Sequence, residues 1–393
     1  MQAPHRPQAT DRLQAIYDPA PVNFDTLGLE PSLLEGVAVR GWEKTTPIQS
    51  AVIPIALAGH DVIGCADTGT GKTVAFVLPI LHRLLKQREQ HPAGIGTTRV
   101  LILAPTRELC VQIEDDIQGF IYHTSLTSIA VYGGVEMGAQ ERALKAGVDI
   151  VVATPGRLMD HQRSGTVNFT AVETFVLDEA DRMMDMGFWP DVCRIANTLP
   201  PKEKRQTLLF SATMPDEVMK LLDEIVRQPQ YVQVGSAGGP ARSITHTTEN
   251  VPSAQKTEWL AKFLRRTQGP VLVFVRTKSG ADRLARKLQS FGIRAAALHA
   301  DRTQQQRSAA VEGFRGGQYH VLVATDVAAR GLDIDGISYV VNFEVPTSRE
   351  TYVHRVGRTG RAAATGTALT LVSPEESRAL EALQRSFGSE LQG

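Results

Sequence analysis

Short runs of apolar residues that do not alternate with polar residues recur along the chain. In the first half, six runs rich in Val, Ile and Leu lie at residues 61–66, 99–106, 128–134, 149–155, 174–181 and 206–213. A strand with one solvated face would alternate with polar residues, so these runs predict central parallel strands covered on both faces. The intervening segments, of about 15–30 residues, suit crossover helices. The pattern therefore predicts an α/β doubly wound parallel sheet.

The pattern stops at one stretch and then resumes. Residues 235–243 read GSAGGPARS, a composition typical of a flexible linker. Five more apolar runs lie at residues 270–277, 294–300, 320–326, 338–345 and 366–373. The 393 residues also favour two domains. We predict an N-terminal extension at 1–21, a first domain at 22–234, a linker at 235–245, a second domain at 246–375 and a C-terminal tail with a short helix at 376–393.

The charge is balanced overall but uneven along the chain. There are 42 Lys and Arg against 42 Asp and Glu. From His246 onward we count 20 basic and 14 acidic residues, which leaves 22 basic and 28 acidic residues before it. A basic C-terminal half permits a polyanionic partner. Zero net charge argues against a coat protein that binds nucleic acid by electrostatics alone.

Composition also favours a cytoplasmic protein without a membrane partner. No apolar run approaches the roughly 20 residues that a membrane helix needs, and the first residues lack the apolar segment of a secretory signal. Cys65, Cys110 and Cys193 have no metal-ligand spacing. We interpret them as packed free thiols.

The segment ADTGTGKT at residues 66–73 lies between a predicted strand and a predicted helix. It matches a phosphate loop except that Ala66 replaces the first glycine. Its glycines let backbone N–H groups turn toward an anion, Lys72 can reach the β and γ phosphates, and Thr73 can ligate Mg²⁺. An ordinary glycine-rich turn is the alternative, but the Lys-Thr pair in register favours a nucleotide site. Its predicted residues are Thr68, Gly69, Thr70, Gly71, Lys72 and Thr73.

Carboxylates follow the apolar strand in FVLDEAD, residues 175–181. Buried carboxylates are costly unless a cation compensates them, and an acid at a second strand end near a phosphate loop binds Mg²⁺. We predict that Asp178 and Thr73 hold the metal, partly through water, and that Glu179 orients and deprotonates the attacking water. The alternative is a solvated turn at the end of a strand.

The DEAD sequence at 178–181, after ADTGTGKT, resembles the DEAD-box RNA helicases of superfamily 2 over about residues 22–375. VLVFVRTKSGADRLA and ALHADRTQQQR are similar to the bacterial branch. The resemblance implies two RecA-like domains that close on ATP and single-stranded RNA. It also implies RNA-stimulated ATP hydrolysis and local, non-processive unwinding of short duplexes. A monomer that works in ribosomal or RNA-decay assemblies is compatible with it.

The resemblance also assigns nucleotide contacts. In GWEKTTPIQ at 41–49, Gln49 hydrogen-bonds adenine, with an aromatic contact from Phe24 or Trp42; the family usually has proline where Thr45 stands. Ser211 and Thr213 couple to Asp181, although a helix N-cap is an alternative role for them. In the second half the resemblance gives four residues: Asp333 for the ribose, His354 for the domain interface, and Arg358 and Arg361 as arginine fingers. A solvated basic helix end is the alternative for these arginines.

The implied RNA contacts lie at strand ends in both halves. They are Pro105, Thr106, Arg107, Gly133, Gly134, Thr154, Arg157, Arg276, Gln304, Arg307 and Thr325. Family members often carry asparagine where Arg276 stands. Contacts to phosphates and 2′-hydroxyls would bind RNA independently of its sequence, and no aromatic stripe for base stacking is visible.

Two other functions stay open at this point. The chain could be an ATP-gated RNA clamp, or an RNP-remodelling scaffold, that seldom unwinds. A double-stranded DNA translocase is disfavoured by the segment around Gln49 and by the DEAD spelling. Displacement of a short duplex would discriminate between unwinding and clamping.

Overall fold

The computed structural model describes residues 19–66, 69–88, 97–214, 222, 224–234, 244–329, 336–359 and 366–387. The chain divides into two compact units, residues 1–237 and 238–393. Each unit contains one parallel sheet with helices packed against it. The α/β doubly wound class predicted from the sequence is confirmed.

The first unit has seven strands. They are β1 Val62–Cys65, β2 Val100–Leu103, β3 Ser128–Val131, β4 Ile150–Ala153, β5 Thr174–Leu177, β6 Gln206–Ser211 and β7 Gln230–Gln233. All pair in parallel, in the order β3-β4-β2-β5-β6-β1-β7. Each of the six predicted runs contains one of β1 to β6, whereas β7, at the edge, was not predicted.

Helices cover both faces of this sheet. They are α1 Pro31–Val39, α2 Pro47–Leu57, α3 Lys72–Arg88, α4 Arg107–Ile121, α5 Met137–Ala146, α6 Pro155–Arg163, α7 Ala180–Asp185 and α8 Trp189–Ala196, with 3₁₀ turns at Phe24–Leu27 and Lys202–Lys204. One apolar cluster joins α1 to α4 with one face of the sheet, and a second joins α6 and α8 with the other. Cys65 and Cys110 are buried free thiols and Cys193 is partly buried.

The second unit has six strands. They are β8 Ile244–Asn250, β9 Val271–Phe274, β10 Ala295–Leu298, β11 Val321–Ala324, β12 Tyr339–Asn342 and β13 Gly366–Val372. These strands are also all parallel, in the order β10-β11-β9-β12-β13-β8. Ile244 and Thr245, placed in the linker by sequence, are the first residues of β8.

The helices of the second unit are again on both faces. They are α9 Lys256–Arg266, α10 Lys278–Ser290, α11 Gln304–Arg315, α12 Asp326–Ala329, α13 Arg349–Val356 and α14 Ser377–Phe387, with 3₁₀ turns at Ser253–Gln255 and Pro374–Glu376. Helix α14, predicted as a helix of the tail, packs Phe387 5.4 Å from the ring of Tyr352. None of the helices in the described part of the chain combines the length and apolarity that crossing a membrane requires.

Candidate functional site

The first sheet sorts the predicted site residues into two groups. Parallel strands end at the same edge, so the segments that follow neighbouring strands lie side by side. β5, β6 and β1 are neighbours and lead into the DEAD segment, the 211–213 segment and the phosphate loop. β3, β4 and β2 are also neighbours and lead into the predicted RNA contacts. The two groups meet where β5 pairs with β2.

The phosphate loop connects β1 to α3. Lys72 begins α3, and its side chain is buried, with Nζ donating to the carbonyl of Ala66 at 2.6 Å. Gly69 and Gly71 have φ values of 81° and 88°, which residues with a Cβ rarely adopt. Thr70 and Thr73 are partly buried, and the predicted contact Thr68 lies outside the described residues. The backbone therefore has the left-handed conformation at both glycines of the predicted anion cradle.

Gln49 links α2 to this loop. Its Oε1 accepts a hydrogen bond from the backbone N–H of Thr46 at 2.9 Å, and its Nε2 donates to the carbonyl of Gly71 at 3.2 Å. A Cβ on Gly71 would lie 2.4 Å from Gln49 Nε2. Both edges of the amide are thus engaged by the protein, and an adenine bound here would share or replace these bonds.

The two candidate aromatic contacts for the base differ in exposure. Phe24 is 4% exposed and belongs to the apolar core, whereas Trp42 is 38% exposed. Thr45, where the family usually has proline, accepts a hydrogen bond from the N–H of Val22 at 3.0 Å and hydrogen-bonds Ser50 Oγ at 2.5 Å. This threonine therefore anchors the backbone at Val22, two residues before Phe24, by a hydrogen bond.

The first two acids of the DEAD segment are buried and have protein partners. Oδ1 of Asp178 accepts from the N–H of Glu179 at 3.0 Å. Burial raises the pKa of Asp178 to about 7, although the nearby Lys72 ammonium opposes that rise. Glu179 has a left-handed backbone with φ 54°, and its Oε2 accepts a hydrogen bond from Nη1 of the buried Arg182. Arg182 was not predicted, although an arginine three residues after a glutamate at a helix start was a usable signal.

The last acid of the segment joins β5 to β6. Oδ2 of Asp181 accepts from Thr213 N–H at 2.9 Å and from Thr213 Oγ1 at 3.0 Å. The N–H of Asp181 donates to Oγ of Ser211 at 3.2 Å. The three predicted coupling residues are therefore brought together. A displacement of the DEAD segment would alter its hydrogen bonds to the 211–213 segment, and the reverse also holds.

The predicted RNA contacts of the first unit surround two arginines. Gly134 has φ 84°, and a Cβ there would lie 2.0 Å from Nη1 of Arg107. A Cβ on Gly133 would lie 3.8 Å from Arg107 and 4.0 Å from Arg157. The glycines therefore leave room for both guanidinium groups.

The remaining residues of this group lie at the starts of two helices. Thr106 caps α4, because its Oγ1 accepts from the N–H of Leu109 at 3.3 Å, and it is buried like Pro105. Thr154 precedes α6 without a side-chain capping bond. The hydroxyl of Thr154 is therefore the more accessible donor of the two threonines.

Two residues that the sequence analysis missed hold Arg157. Its Nη1 donates to the carbonyl of Val135 at 3.2 Å and to Oε1 of Gln140 at 3.3 Å. Gln140 is buried, and its Nε2 donates to the carbonyl of Tyr132 at 3.0 Å. The same Oε1 lies 3.3 Å from Nε2 of His161, which is fully buried. Gln140 thus fixes Arg157 and the backbone after β3 in one arrangement.

In the second unit, the predicted nucleotide residues that the structure describes, His354 and Arg358, follow β12. Nε of the buried Arg358 donates to the carbonyl of His354 at 3.2 Å, at the end of α13. Between them, Arg355 binds Asp326 through Nη2 and Oδ2 at 2.8 Å and also donates to Oδ1 of Asn342 at 3.0 Å. This arginine, also missed, ties α13 to α12. Asp333 and Arg361 lie outside the described residues.

The predicted RNA contacts of the second unit follow its other strands, β10, β11 and β9, which are neighbours. Arg276 is exposed, and its N–H donates to Oε2 of Glu344 at 2.8 Å. Gln304 begins α11, and Arg307, one turn later, donates to the carbonyl of His299 at 3.4 Å. Thr325 is buried at the end of β11. For the residues that the structure describes, both sheets therefore separate the two groups in the same way.

Comparison with known protein families gives one match in each of the two units. The DEAD/DEAH box helicase family matches residues 46–221, and the helicase conserved C-terminal domain matches residues 255–363. The DEAD-box ATP-dependent RNA helicase CshA of Bacillus cereus is 42% identical over 365 residues, which cover 92% of this chain and 68% of the relative. The ATP-dependent RNA helicase CshA of Listeria monocytogenes is 41% identical over 94% of this chain and 69% of its own.

Solved structures of DEAD-box proteins are similar to this chain over both units. The structure of S. cerevisiae Dbp5 bound to RNA and ADP BeF3 has a TM-score of 0.82 with 32% identity over 93% of both chains. Mss116p bound to ssRNA and AMP-PNP has a TM-score of 0.83 with 27% identity, over 94% of this chain and 78% of that one.

Proposed function

The chain belongs to the DEAD-box ATP-dependent RNA helicases, enzymes that bind nucleotide and hydrolyse ATP, and we propose that it couples hydrolysis to closure of two domains on single-stranded RNA. The domains are residues 22–234 and 244–375, the second of which begins with Ile244 at the start of β8. The observation that carries this proposal is the order β5-β6-β1, which makes neighbours of the DEAD segment, the 211–213 segment and the phosphate loop.

In the first domain the nucleotide phosphates bind at the loop. Lys72 exchanges the carbonyl of Ala66 for phosphate oxygens, and Gln49 recognises adenine beside Phe24 or Trp42. Thr73 and Asp178 fit Mg²⁺, since both offer oxygen atoms and Asp178 is a buried carboxylate that a cation would stabilise. Among the described residues there is no cluster of three or more His, Cys, Asp or Glu that could hold a metal ion. When bound, Mg²⁺ neutralises phosphate charge.

Glu179 accepts the proton of the attacking water. A buried carboxylate needs a compensating charge, and Arg182 supplies it. The same contact restricts the orientation of the Glu179 carboxylate: Oε2 is held by Arg182, and Oε1 is the oxygen that would accept the proton of the water. General-base catalysis of this kind depends on such positioning.

The second domain supplies the cations that stabilise the transition state. Arg358 and Arg361 approach the γ-phosphate, where negative charge develops. His354 hydrogen-bonds across the interface, and Asp333 binds the ribose. Because these groups belong to the second domain, hydrolysis requires closure.

RNA binds along the other half of each sheet edge. The donors there contact phosphates and 2′-hydroxyls, so binding is independent of sequence. ATP and RNA each favour the closed form, and their binding is therefore coupled reciprocally. Asp181, Ser211 and Thr213 lie on the coupling path. The closed form bends one strand and separates short duplexes locally, and phosphate release reopens it. The protein acts as a cytoplasmic monomer, in assemblies concerned with ribosomes or RNA decay.

RNA-stimulated ATPase activity of the purified chain tests this proposal. We expect turnover to rise with single-stranded RNA and not with DNA, and a short RNA duplex to be displaced when ATP is present. ATP consumption that is indifferent to RNA would refute the coupling. Stimulation without displacement, together with persistent RNA binding in ATP, would identify a clamp instead.

A further inference from the structure

Helices α9 and α10 lie on one face of the second sheet, because Leu264 and Leu288 belong to the same apolar cluster. The outer side of α10 carries three exposed cations, Arg283, Arg286 and Lys287. Their i, i+3, i+4 spacing places them on one helix face, where like charges repel. This cluster is part of the positive excess of the C-terminal half, and the residues proposed above for nucleotide and RNA do not include it.

The three cations are not neutralised within the part of the chain that the structure describes. Arg286 donates to a backbone carbonyl, that of Asp282, and Lys287 lies 5.0 Å from the ring centroid of Phe291. The carboxylate of Asp282 is bound by His299 at 3.0 Å and by Arg302. No described carboxylate forms an ion pair with any of the three cations.

These cations line a groove of about 680 Å³. The start of α9 forms another part of its wall, with the hydroxyls of Ser253 and Thr257. Val275, Phe343 and Glu344, which follow β9 and β12, also line it. Val275 precedes Arg276, and Glu344 accepts the hydrogen bond from the Arg276 N–H at 2.8 Å. The groove therefore reaches the carboxyl edge of the sheet beside a predicted RNA contact.

The mixed chemistry of the lining indicates which polyanion fits. Arg283, Arg286 and Lys287 can bind phosphates, and Thr257 can donate to them. Glu258 and Glu344 also line the groove, and their carboxylates can accept hydrogen bonds from a ligand in addition to the one that Glu344 accepts from Arg276. RNA carries 2′-hydroxyl and base amino groups beside its phosphates, and the groove continues from the predicted RNA contact Arg276. A charged groove with an aromatic ring such as Phe343 is typical of single-strand binding.

We infer that this groove is an accessory site for the part of a single RNA strand that extends past Arg276. The inference rests on the proposed RNA-binding function and extends it. It assigns to α10 a contribution to affinity for long strands, separate from the contacts at the carboxyl edge that any short strand makes.

The test compares two triple variants that remove the same charge. The groove variant is Arg283→Gln, Arg286→Gln, Lys287→Gln. The control is Lys262→Gln, Arg265→Gln, Arg266→Gln, which has the same spacing on the exposed side of the neighbouring helix α9 but does not line the groove. Glutamine keeps the helix propensity of lysine and arginine, and thermal melts check the fold of both variants. Fluorescence anisotropy measures binding of oligouridylates of about 6 and about 16 nucleotides, with a non-hydrolysable ATP analogue, over a salt series.

For the groove variant we expect about a 10-fold loss of affinity for the long strand and less than about a 2-fold loss for the short one. The slope of log affinity against log salt for the long strand should fall by about 2, at about 0.7 per phosphate contact. Equal weakening by both triple variants, equal loss for both strand lengths, or unchanged long-strand binding would each overturn the inference. Wild-type protein that neither binds RNA nor shows RNA-stimulated ATPase activity would instead overturn the proposed function.

Discussion

The two units share a plan but carry opposite chemistry. In each, one set of neighbouring strands leads to the predicted RNA contacts, β3-β4-β2 in the first and β10-β11-β9 in the second. The strands beside them lead to the predicted nucleotide residues. In the first unit these include the buried acids Asp178 and Glu179, whereas the described ones in the second are His354 and the buried Arg358. In the proposed mechanism, the first unit would thus contribute the DEAD acids together with Lys72, and the second unit would contribute the arginine that approaches the γ-phosphate.

Each unit also contains a buried charged side chain that is paired within the same unit. Glu179 is paired with Arg182 in the first unit, and Arg355 with Asp326 in the second. Truncating one partner of a buried pair typically costs about 3–5 kcal/mol, because the other charge is left uncompensated. We conclude that the side chains of each half are positioned locally, so that the remaining requirement of the proposed mechanism is to bring the halves together.

The largest effect should come from removing the cation of the second unit. Arg358→Ala should lower RNA-stimulated kcat by about 10³–10⁵-fold, the range for an arginine finger. Nucleotide affinity should change little, because the phosphate loop and Gln49 belong to the first unit. Steady-state ATPase assays and titration with a fluorescent nucleotide measure the two quantities.

Arg349→Ala is the matched control for Arg358→Ala, since Arg349 begins the same helix and its Nη1 donates to the carbonyl of Ser386. It should leave kcat within about 2-fold of wild type, as expected for a surface change. A loss of nucleotide affinity in Arg358→Ala as large as its loss of kcat would contradict the division of chemistry between the units.

Glu179→Gln tests the acid side of the comparison. The amide is nearly isosteric and can still accept from Arg182, but it cannot take a proton from water. We expect kcat to fall by about 10²–10⁴-fold while nucleotide and RNA affinities are retained. Single-turnover hydrolysis separates the chemical step from product release. Turnover near the wild-type rate would remove Glu179 from the role of general base.

The central strands could be predicted from sequence, and so could the edge strands β3 and β10, whereas the edge strands β7 and β8 could not. β1, β2, β4, β5 and β6 are buried at every residue, so burial required the continuous apolar runs that identified them. Unlike the apolar edge strands β3 and β10, the partly solvated edge strands β7 and β8 are mostly polar, and this is why they were missed. Their polar sequences, QYVQ and ITHTTEN, carry no such run, and what makes them strands is pairing with β1 and β13.

For the candidate site, too, only part of the arrangement could be predicted from sequence. Motif residues such as Lys72 and Asp178 could be proposed because their spacing within one segment carries the signal. The partners Gln140 and Asp326 could not, since Gln140 lies 17 residues from Arg157 and Asp326 lies 29 residues from Arg355. Such contacts depend on the order of strands in the sheet, which the sequence pattern did not specify.

A smaller effect should follow from loosening Arg157 in the first unit. Gln140→Leu removes the acceptor shared by Arg157 and His161 and leaves buried donors without it, which costs about 1–3 kcal/mol of stability. We expect the KM for RNA in the ATPase assay to rise about 5–10-fold, on the order of one lost net hydrogen bond of about 1 kcal/mol, with kcat at saturating RNA nearly unchanged.

Two variants sharpen the Gln140 result. Gln140→Glu keeps acceptors for Arg157 and His161 but loses the donor to Tyr132, so it should restore most of the RNA affinity. Gln118→Leu, on the more exposed side of α4, where the amide bonds Glu114 and Ser128, should leave the KM for RNA unchanged. If Gln140→Glu binds RNA no better than Gln140→Leu, the glutamine is structural and does not position Arg157.

The smallest effect should be a dependence of stability on pH that begins in the first unit. Burial, and then repulsion from Arg157, lowers the pKa of His161. Unfolded histidine titrates near pH 6.5, so below about that pH His161 binds a proton in the unfolded chain but not in the native state, and this contribution lowers stability as pH decreases. Asp178, whose pKa burial raises to about 7, contributes in the opposite direction. His161→Gln should reduce this slope by up to about 1.4 kcal/mol per pH unit, whereas the exposed His60→Gln should not.

Urea unfolding between pH 7.5 and 5 measures the slope of stability against pH. The measurement uses a Trp259→Phe background, where the remaining tryptophans, Trp42 and Trp189, report on the first unit alone. An unchanged slope in His161→Gln would mean that His161 is protonated equally in both states, and its buried contact with Gln140 would then need a different account.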